Sequence, residues 1–252
     1  MTGPPVLATR GLGLDIGGAT IVADVSLEVA EGECLGIIGP NGAGKTSLFN
    51  LLTGVLRPTA GRVELAGRDV TGEAPHTRTR LGLGRTFQIS SVFPALAVLE
   101  NVRLAAEAGA GGSMRIWRLA SRGRAVLERA RWALDRVGLS SRAAVPAAAL
   151  SHGDKRKLEL AMLLASGPQV LLLDEPMAGV SVEDVPELVE VIRSVHRDDG
   201  RTVLMVEHHI EVVTGLAERI AVMHHGSLLA CDTPDRILAD ETVQTAYLGE
   251  PL

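Results

Sequence analysis

Residues 39–47, Gly-Pro-Asn-Gly-Ala-Gly-Lys-Thr-Ser, put three glycines, a lysine and two hydroxyls into one short stretch. The spacing is G-x-x-x-x-G-K-[ST]. It falls between an apolar run, Cys34 to Ile38, and a helix-like run, 45–53, that ends at Gly54. Glycines here let successive backbone N–H groups turn inward around an anion, and the helix start adds the positive end of its dipole. Lys45 can reach the β- and γ-phosphates of a nucleoside triphosphate, and the Thr46 hydroxyl is a hard oxygen suited to Mg²⁺. Asn41, Gly42, Ala43, Gly44 and Ser47 complete the expected cradle.

A second polar group closes the run Gln-Val-Leu-Leu-Leu-Asp-Glu-Pro, residues 169–176. The apolar residues predict a buried strand, and its carboxyl end is where α/β sheets bind ligands. Asp174 is placed to hold the Mg²⁺ hydration shell through water, and Glu175 to polarise an attacking water as general base. Alone, such a pair is equally an ordinary strand end; beside the phosphate loop it reads as the hydrolytic half of one site. Upstream, Ser151-His152-Gly153-Asp154 opens an amphipathic run. A plain helix N-cap with a solvated His152 accounts for that turn as well as a functional role does.

Strands are expected at Val25 to Val29, Cys34 to Ile38 and Arg62 to Leu65, and again in 169–175, 201–207 and 219–226. Between about 92 and 166 the chain turns to Ala, Leu, Arg and Glu at helical spacing. Val126, Ala130, Ala133, Leu134 and Val137 make one stripe there, and 108–113 (Ala-Gly-Ala-Gly-Gly-Ser) is expected as a flexible joint. Continuous apolar strands alternating with helices imply an α/β sheet covered on both faces. The expected division is an α/β core of 1–91 and 167–252, interrupted by a helical subdomain of 92–166.

The composition narrows the function class. At 252 residues and a net charge of −5, the chain can bury a sizeable core and is not built mainly to bind nucleic acid. Cys34 and Cys231 lie in apolar stretches and read as small buried hydrophobes in a reducing compartment. With no basic-then-apolar leader and no apolar run near the roughly 18 residues a spanning helix needs, a soluble, cytoplasmic chain is expected.

Taken in order, these motifs resemble the ATP-binding subunits of ABC transporters over nearly the whole chain. "LSHGDKRKLELA" is similar to that family's signature, usually L-S-G-G-Q, "GRTFQ" puts Gln88 at the Q-loop, "MAGVS" matches the D-loop, and "VEHH" supplies a switch histidine, His208. The resemblance implies a P-loop NTPase core of ABC type, with a mixed sheet flanked by helices and an inserted helical subdomain. It implies ATP and Mg²⁺ as cofactors, with Gln88 among the ATP and metal contacts and His208 catalytic beside Glu175. Ser151, His152, Gly153 and Asp154 would face ATP bound to a second ATP-binding subunit, either another copy or a paralogue. Membrane permease subunits would dock around 88–105, where "VFPALAV" offers apolar anchors, although a loop packed on its own domain explains that segment equally well. Such a subunit sits on the inner face of the cell membrane and serves a solute-binding protein only indirectly.

"GLGRTFQISSVFPALAVLENV" and the terminal "AYLGE" are closest in flavour to importers for branched-chain and other hydrophobic amino acids. ATPases of urea or short-amide importers and of lipopolysaccharide export are similar. Three positions depart from the wider pattern. Ile16 stands where an adenine-stacking aromatic is common, Ser181 where the D-loop often has Asp, and His209 where an acid often follows the switch histidine. His209, His224 and His225 read as ordinary surface residues. A soluble ABC-type protein acting on DNA or ribosomes would call for coiled-coil arms or two nucleotide domains in one chain, and a non-hydrolysing regulatory subunit would not need Glu175.

Overall fold

A computed structural model describes residues 4–86, 92–110 and 119–248, except the side chains of 119–122 and 247–248. In chain order the elements begin with β1 (Leu7–Ile16), β2 (Ala19–Val29), β3 (Cys34–Ile38), α1 (Lys45–Thr53), β4 (Ala60–Leu65) and β5 (Arg68–Asp69). Next come α2 (Pro75–Arg80), β6 (Leu83–Arg85), α3 (Val98–Gly109), α4 (Leu119–Arg136), α5 (His152–Ser166) and β7 (Val170–Asp174). The chain continues with α6 (Val185–Arg197), β8 (Thr202–Val206), α7 (Ile210–Leu216), β9 (Arg219–His224), β10 (Ser227–Asp232), α8 (Pro234–Ala239) and α9 (Glu241–Leu248).

Two sheets form. The larger has the order β10-β9-β3-β8-β7-β6; its pairs are parallel except β9 with β10, so it is mixed as expected. Every residue of β3, β7 and β8 is buried, which is why these strands read as unbroken apolar runs. Their side chains alternate between two clusters. Leu35, Leu172 and Leu204 join Phe49 of α1 and the second sheet; Ile38, Leu171 and Met205 join Val102, Ala133, Leu164 and Val213 of the helices. Helices and the second sheet thus cover both faces.

The second sheet, β2-β1-β4-β5, is antiparallel and was not expected as a separate layer. β1 escapes a pattern reading because register shifts between Thr9 and Leu12 and between Leu12 and Leu14 break its two-residue alternation. Strand β2 starts six residues before the expected Val25, and β4 starts at Ala60 rather than Arg62, because pairing with β1 carries both past their apolar stretches.

Helix α4 buries the whole expected stripe, with Val126 the most exposed of the five at 8%. The expected joint at 108–113 is corrected in part. Ala108 and Gly109 belong to α3, and a Cβ at Gly109 would lie 2.2 Å from the Ser166 carbonyl oxygen, so this glycine permits close approach to α5. Residues 111–113 lie outside the described residues. Cys34 is buried, and burial pushes its thiol up to about 12. Cys231 is the exception to the paired reading: it is half-buried on the edge strand β10, with its Sγ 3.0 Å from Arg219. Among the described residues no helix is long and apolar enough to cross a membrane.

Candidate functional site

Helix α1 begins at a glycine because a side chain would not fit there. Gly44 has φ 95°, and a Cβ on it would sit 2.8 Å from the Ile21 carbonyl oxygen. Gly39, at φ 152°, is pressed closer still, its Cβ position lying 2.2 Å from the carbonyl of Met223. The loop is therefore clamped between β2 and the β9–β10 turn, where Gly226 N–H donates to Ala43 O at 3.1 Å. Among the described residues no side chain caps α1, so the N–H groups of its first turn remain available to an anion. Asn41 and Gly42 are exposed, Gly44, Thr46 and Ser47 half-buried, and Ala43 and Lys45 buried. The Lys45 Nζ folds back onto the carbonyls of Gly39 (2.6 Å) and Pro40 (2.9 Å). Burial pushes its ammonium below the usual range, while Glu175 and Asp174 act against that shift.

Asp174 ends β7 with its side chain fully buried. One oxygen, Oδ2, accepts from Arg85 Nη2 at 2.6 Å. The other, Oδ1, is buried without a hydrogen-bond partner among the described residues. Arg85 is fixed in turn by Asn50 Oδ1 of α1 at 2.6 Å and lies over the Phe49 ring, 5.6 Å from its centroid. An orphaned carboxylate oxygen and the Thr46 hydroxyl are hard donors, so these residues fit Mg²⁺ held partly through water and nucleotide phosphates. Gln88, the other expected metal contact, lies outside the described residues.

Glu175 sits one residue beyond the strand at φ 48°, a left-handed conformation that costs a non-glycine residue on the order of 1–3 kcal/mol and needs support from its surroundings. Its N–H donates to Val206 O at 2.9 Å, and its Oε1 lies 2.9 Å from His208 Nε2. The structure therefore brings together Glu175 and His208, which are 33 residues apart in sequence. Both are partly open to solvent, at 34% and 40% side-chain exposure, so water can reach the pair. The arrangement can orient a water on the carboxylate and hold the carboxylate by the imidazole.

The signature turn is a true N-cap: Ser151 Oγ accepts from Asp154 N–H at 3.1 Å. It also packs on the D-loop of its own chain. A Cβ at Gly153 would lie 2.9 Å from Asp184 Oδ2, one at Gly179 would meet His152 at 3.3 Å, and Arg156 donates to Ala178 O at 3.2 Å. Ser151 and His152 stay exposed, Asp154 is half-buried and Gly153 buried, so this end of α5 presents an open face. Ser181, at the departing D-loop position, donates to Asp184 Oδ2 at 2.8 Å. Ile16 is 53% exposed at the end of the β1–β2 hairpin. His209 is exposed, yet its Nδ1 lies 3.1 Å from Glu207, so it is more engaged than an ordinary surface residue.

A groove of about 610 Å³ runs between α1, α2, α3 and α5, lined by Val55, Arg78, Arg85, Ala105, Met162 and Leu163 among others. Beside α3, Phe93 is 52% exposed, and its backbone is clamped by the buried Asn101, whose Oδ1 accepts from Phe93 N–H at 2.7 Å. Of the expected apolar segment, Phe93 and Leu96 face solvent, whereas Val98 is buried in the core. Arg78 is buried at the groove floor, donating to the carbonyls of Leu51 and Leu52 at the end of α1, both at 2.7 Å.

Sequence reasoning missed Arg85 and Glu207. Arg85 stood inside the quoted GRTFQ, and Glu207 inside VEHH; a charge at the end of an otherwise apolar strand was the available signal for each.

The comparisons with known proteins agree with this geometry. Residues 22–178 match the ABC transporter family model, and residues 227–251 match the model for branched-chain amino acid ATP-binding cassette transporters. The chain is 38% identical over 98% of both chains to the high-affinity branched-chain amino acid transport ATP-binding protein LivG of Salmonella typhimurium. It is 35% identical, also over 98% of both, to BraF of Pseudomonas aeruginosa, which bears the same description. Among solved structures, a nucleotide-free ATP-binding cassette from an ABC transporter superposes with a TM-score of 0.85 at 28% identity, covering 98% of this chain and 100% of that one. The chain belongs to the ABC transporter ATP-binding family, and it is an ATPase subunit with the α/β fold of those cassettes.

Proposed function

We propose that this subunit powers an importer for branched-chain or other hydrophobic amino acids. The observation that carries the reading is full-length similarity to LivG and BraF, joined to the match of residues 227–251 to the branched-chain model. Lipopolysaccharide export is the second reading, because the chain is also 36% identical over 91% of both chains to LptB of Acidithiobacillus ferridurans. A urea or short-amide importer rests only on motif likeness.

In this reading the 39–47 loop and Lys45 bind the ATP phosphates, and Ile16 flanks the adenine. Thr46, Asp174 through water and Gln88 would hold Mg²⁺, which would neutralise phosphate charge. Glu175 takes a proton from the attacking water, and His208, 2.9 Å away, keeps the carboxylate oriented. Ser151, His152, Gly153 and Asp154 complete the site of a second ATP-binding subunit, so hydrolysis requires pairing with another copy or a paralogue. Permease subunits occupy the groove beside Phe93, which keeps this chain on the inner face of the cell membrane, with a solute-binding protein acting through them. Closure of the paired nucleotide sites then moves the permease.

The test is reconstitution with the permease subunits that co-purify with the chain. ATP turnover should rise with a leucine-loaded binding protein and fall at least a hundredfold in Glu175→Gln, while ATP still binds. Stimulation by lipopolysaccharide instead would transfer the assignment to export. Near-normal turnover of Glu175→Gln would remove Glu175 as the base.

A further inference from the structure

We propose that Glu207 is a positioning residue that holds the water-activating glutamate and the switch histidine in one frame. The proposal rests on reading Glu175 as the general base. Glu207 follows β8 and is 2% exposed, so its carboxylate must find its partners inside the protein. It finds them on two separate segments. Oε1 accepts from the N–H of Met177 at 2.7 Å, two residues beyond Glu175. Oε2 accepts from the N–H of His208 at 2.9 Å, with the N–H of His209 at 3.4 Å and His209 Nδ1 at 3.1 Å beside it.

Each oxygen thus serves a different loop. The Met177 bond fixes the turn 175–178, which is closed by Ala178 N–H to Glu175 O at 3.0 Å and contains the left-handed Glu175. The His208 bonds fix the backbone that carries the imidazole. Between the two anchored segments lies the 2.9 Å contact of His208 Nε2 with Glu175 Oε1. A displacement of either loop lengthens that contact directly. Only a side chain with acceptors on both terminal atoms can serve both loops at once; an amide offers one acceptor and one donor, and so must abandon one of the two. Among the described residues the Glu207 carboxylate bonds Met177, His208 and His209 and makes no hydrogen bond or ion pair to the 39–47 loop, so its effect should fall on turnover rather than on nucleotide affinity.

The experiment compares the wild-type chain, Glu175→Gln and Glu207→Gln in the assembled complex. We expect Glu207→Gln to lower kcat at least tenfold while KM and equilibrium ATP affinity stay within threefold. Hydrogen exchange of the Met177 and His208 amides should speed up, with the Val203 to Met205 amides unchanged. A kcat within twofold of wild type, in a background where Glu175→Gln is inactive, overturns the proposal. Near-normal turnover of Glu175→Gln itself would instead overturn the general-base reading beneath it. Should Glu207→Gln also lose the strand amides' protection, the wild type decides. Its Met177 and His208 amides should show one common protection factor, and clearly separate factors would show that Glu207 does not join the loops.

Discussion

Replacing Arg85 by methionine isolates the charge that holds Asp174. Methionine keeps an unbranched apolar stem over Phe49 and removes the guanidinium that reaches Asp174 Oδ2 at 2.6 Å. The side chains are 11% and 0% exposed, so the pair belongs to the buried class rather than the surface one. Among the described residues Asp174 Oδ1 has no partner to fall back on, and the variant carboxylate would lose the one side-chain hydrogen bond it makes to them. Breaking one side of a buried pair costs about 3–5 kcal/mol. At roughly 2–4 °C per kcal/mol for a chain of this size, that corresponds to a fall in melting temperature of roughly 6–20 °C. The assay is urea unfolding of the nucleotide-free chain in EDTA, followed by circular dichroism, for wild type, Arg85→Met, Asp174→Asn and the double variant. The double variant should recover at least half of the Arg85→Met loss, because the uncompensated charge is gone. A cost below about 1 kcal/mol, the range of an exposed ion pair, would refute the reasoning. So would a double variant no more stable than the sum of the two singles.

Ser151→Arg should leave ATP binding by the isolated chain within threefold and abolish ATP-dependent dimerisation, since the exposed N-cap of α5 faces outward; equal loss of both would assign the turn a role in its own chain's site. Wild type should bind ATP and GTP within about tenfold of each other, a gap of roughly 1.4 kcal/mol, because the exposed Ile16 offers less than the roughly 1–3 kcal/mol that base–aromatic stacking provides. Ile16→Tyr should tighten ATP several-fold in the same titrations, and a strong wild-type preference for ATP, unchanged by the substitution, would place base recognition elsewhere. Burial raises the Cys34 thiol from 9.0 to about 12, and the reactive form is the thiolate, so at pH 8 the folded chain should resist alkylation at Cys34 until denaturant exposes it. Rapid labelling of the native protein, mapped by mass spectrometry, would contradict this.

Whatever depends on neighbours in sequence was legible before any coordinates. The phosphate loop and the helix over 45–53 follow from glycine and lysine spacing and from the stop at Gly54, and α1 spans Lys45–Thr53. The α4 stripe and the buried strands β3, β7 and β8 follow from apolar periodicity, since burial on one face or on both leaves that imprint directly on residue order. The order of the motifs likewise carried the family resemblance. What tertiary structure decided are the pairings between distant residues. Arg85 meets Asp174 across 89 positions because β6 lies beside β7, and Glu207 meets Met177 across 30 because β8 lies on the other side of β7. The β1 strand, Gly109 at Ser166 and the half-open Cys231 belong to the same group. A charge or glycine in such a place has no periodic signature, because what stabilises it is a partner brought near only when the sheet order and helix packing form.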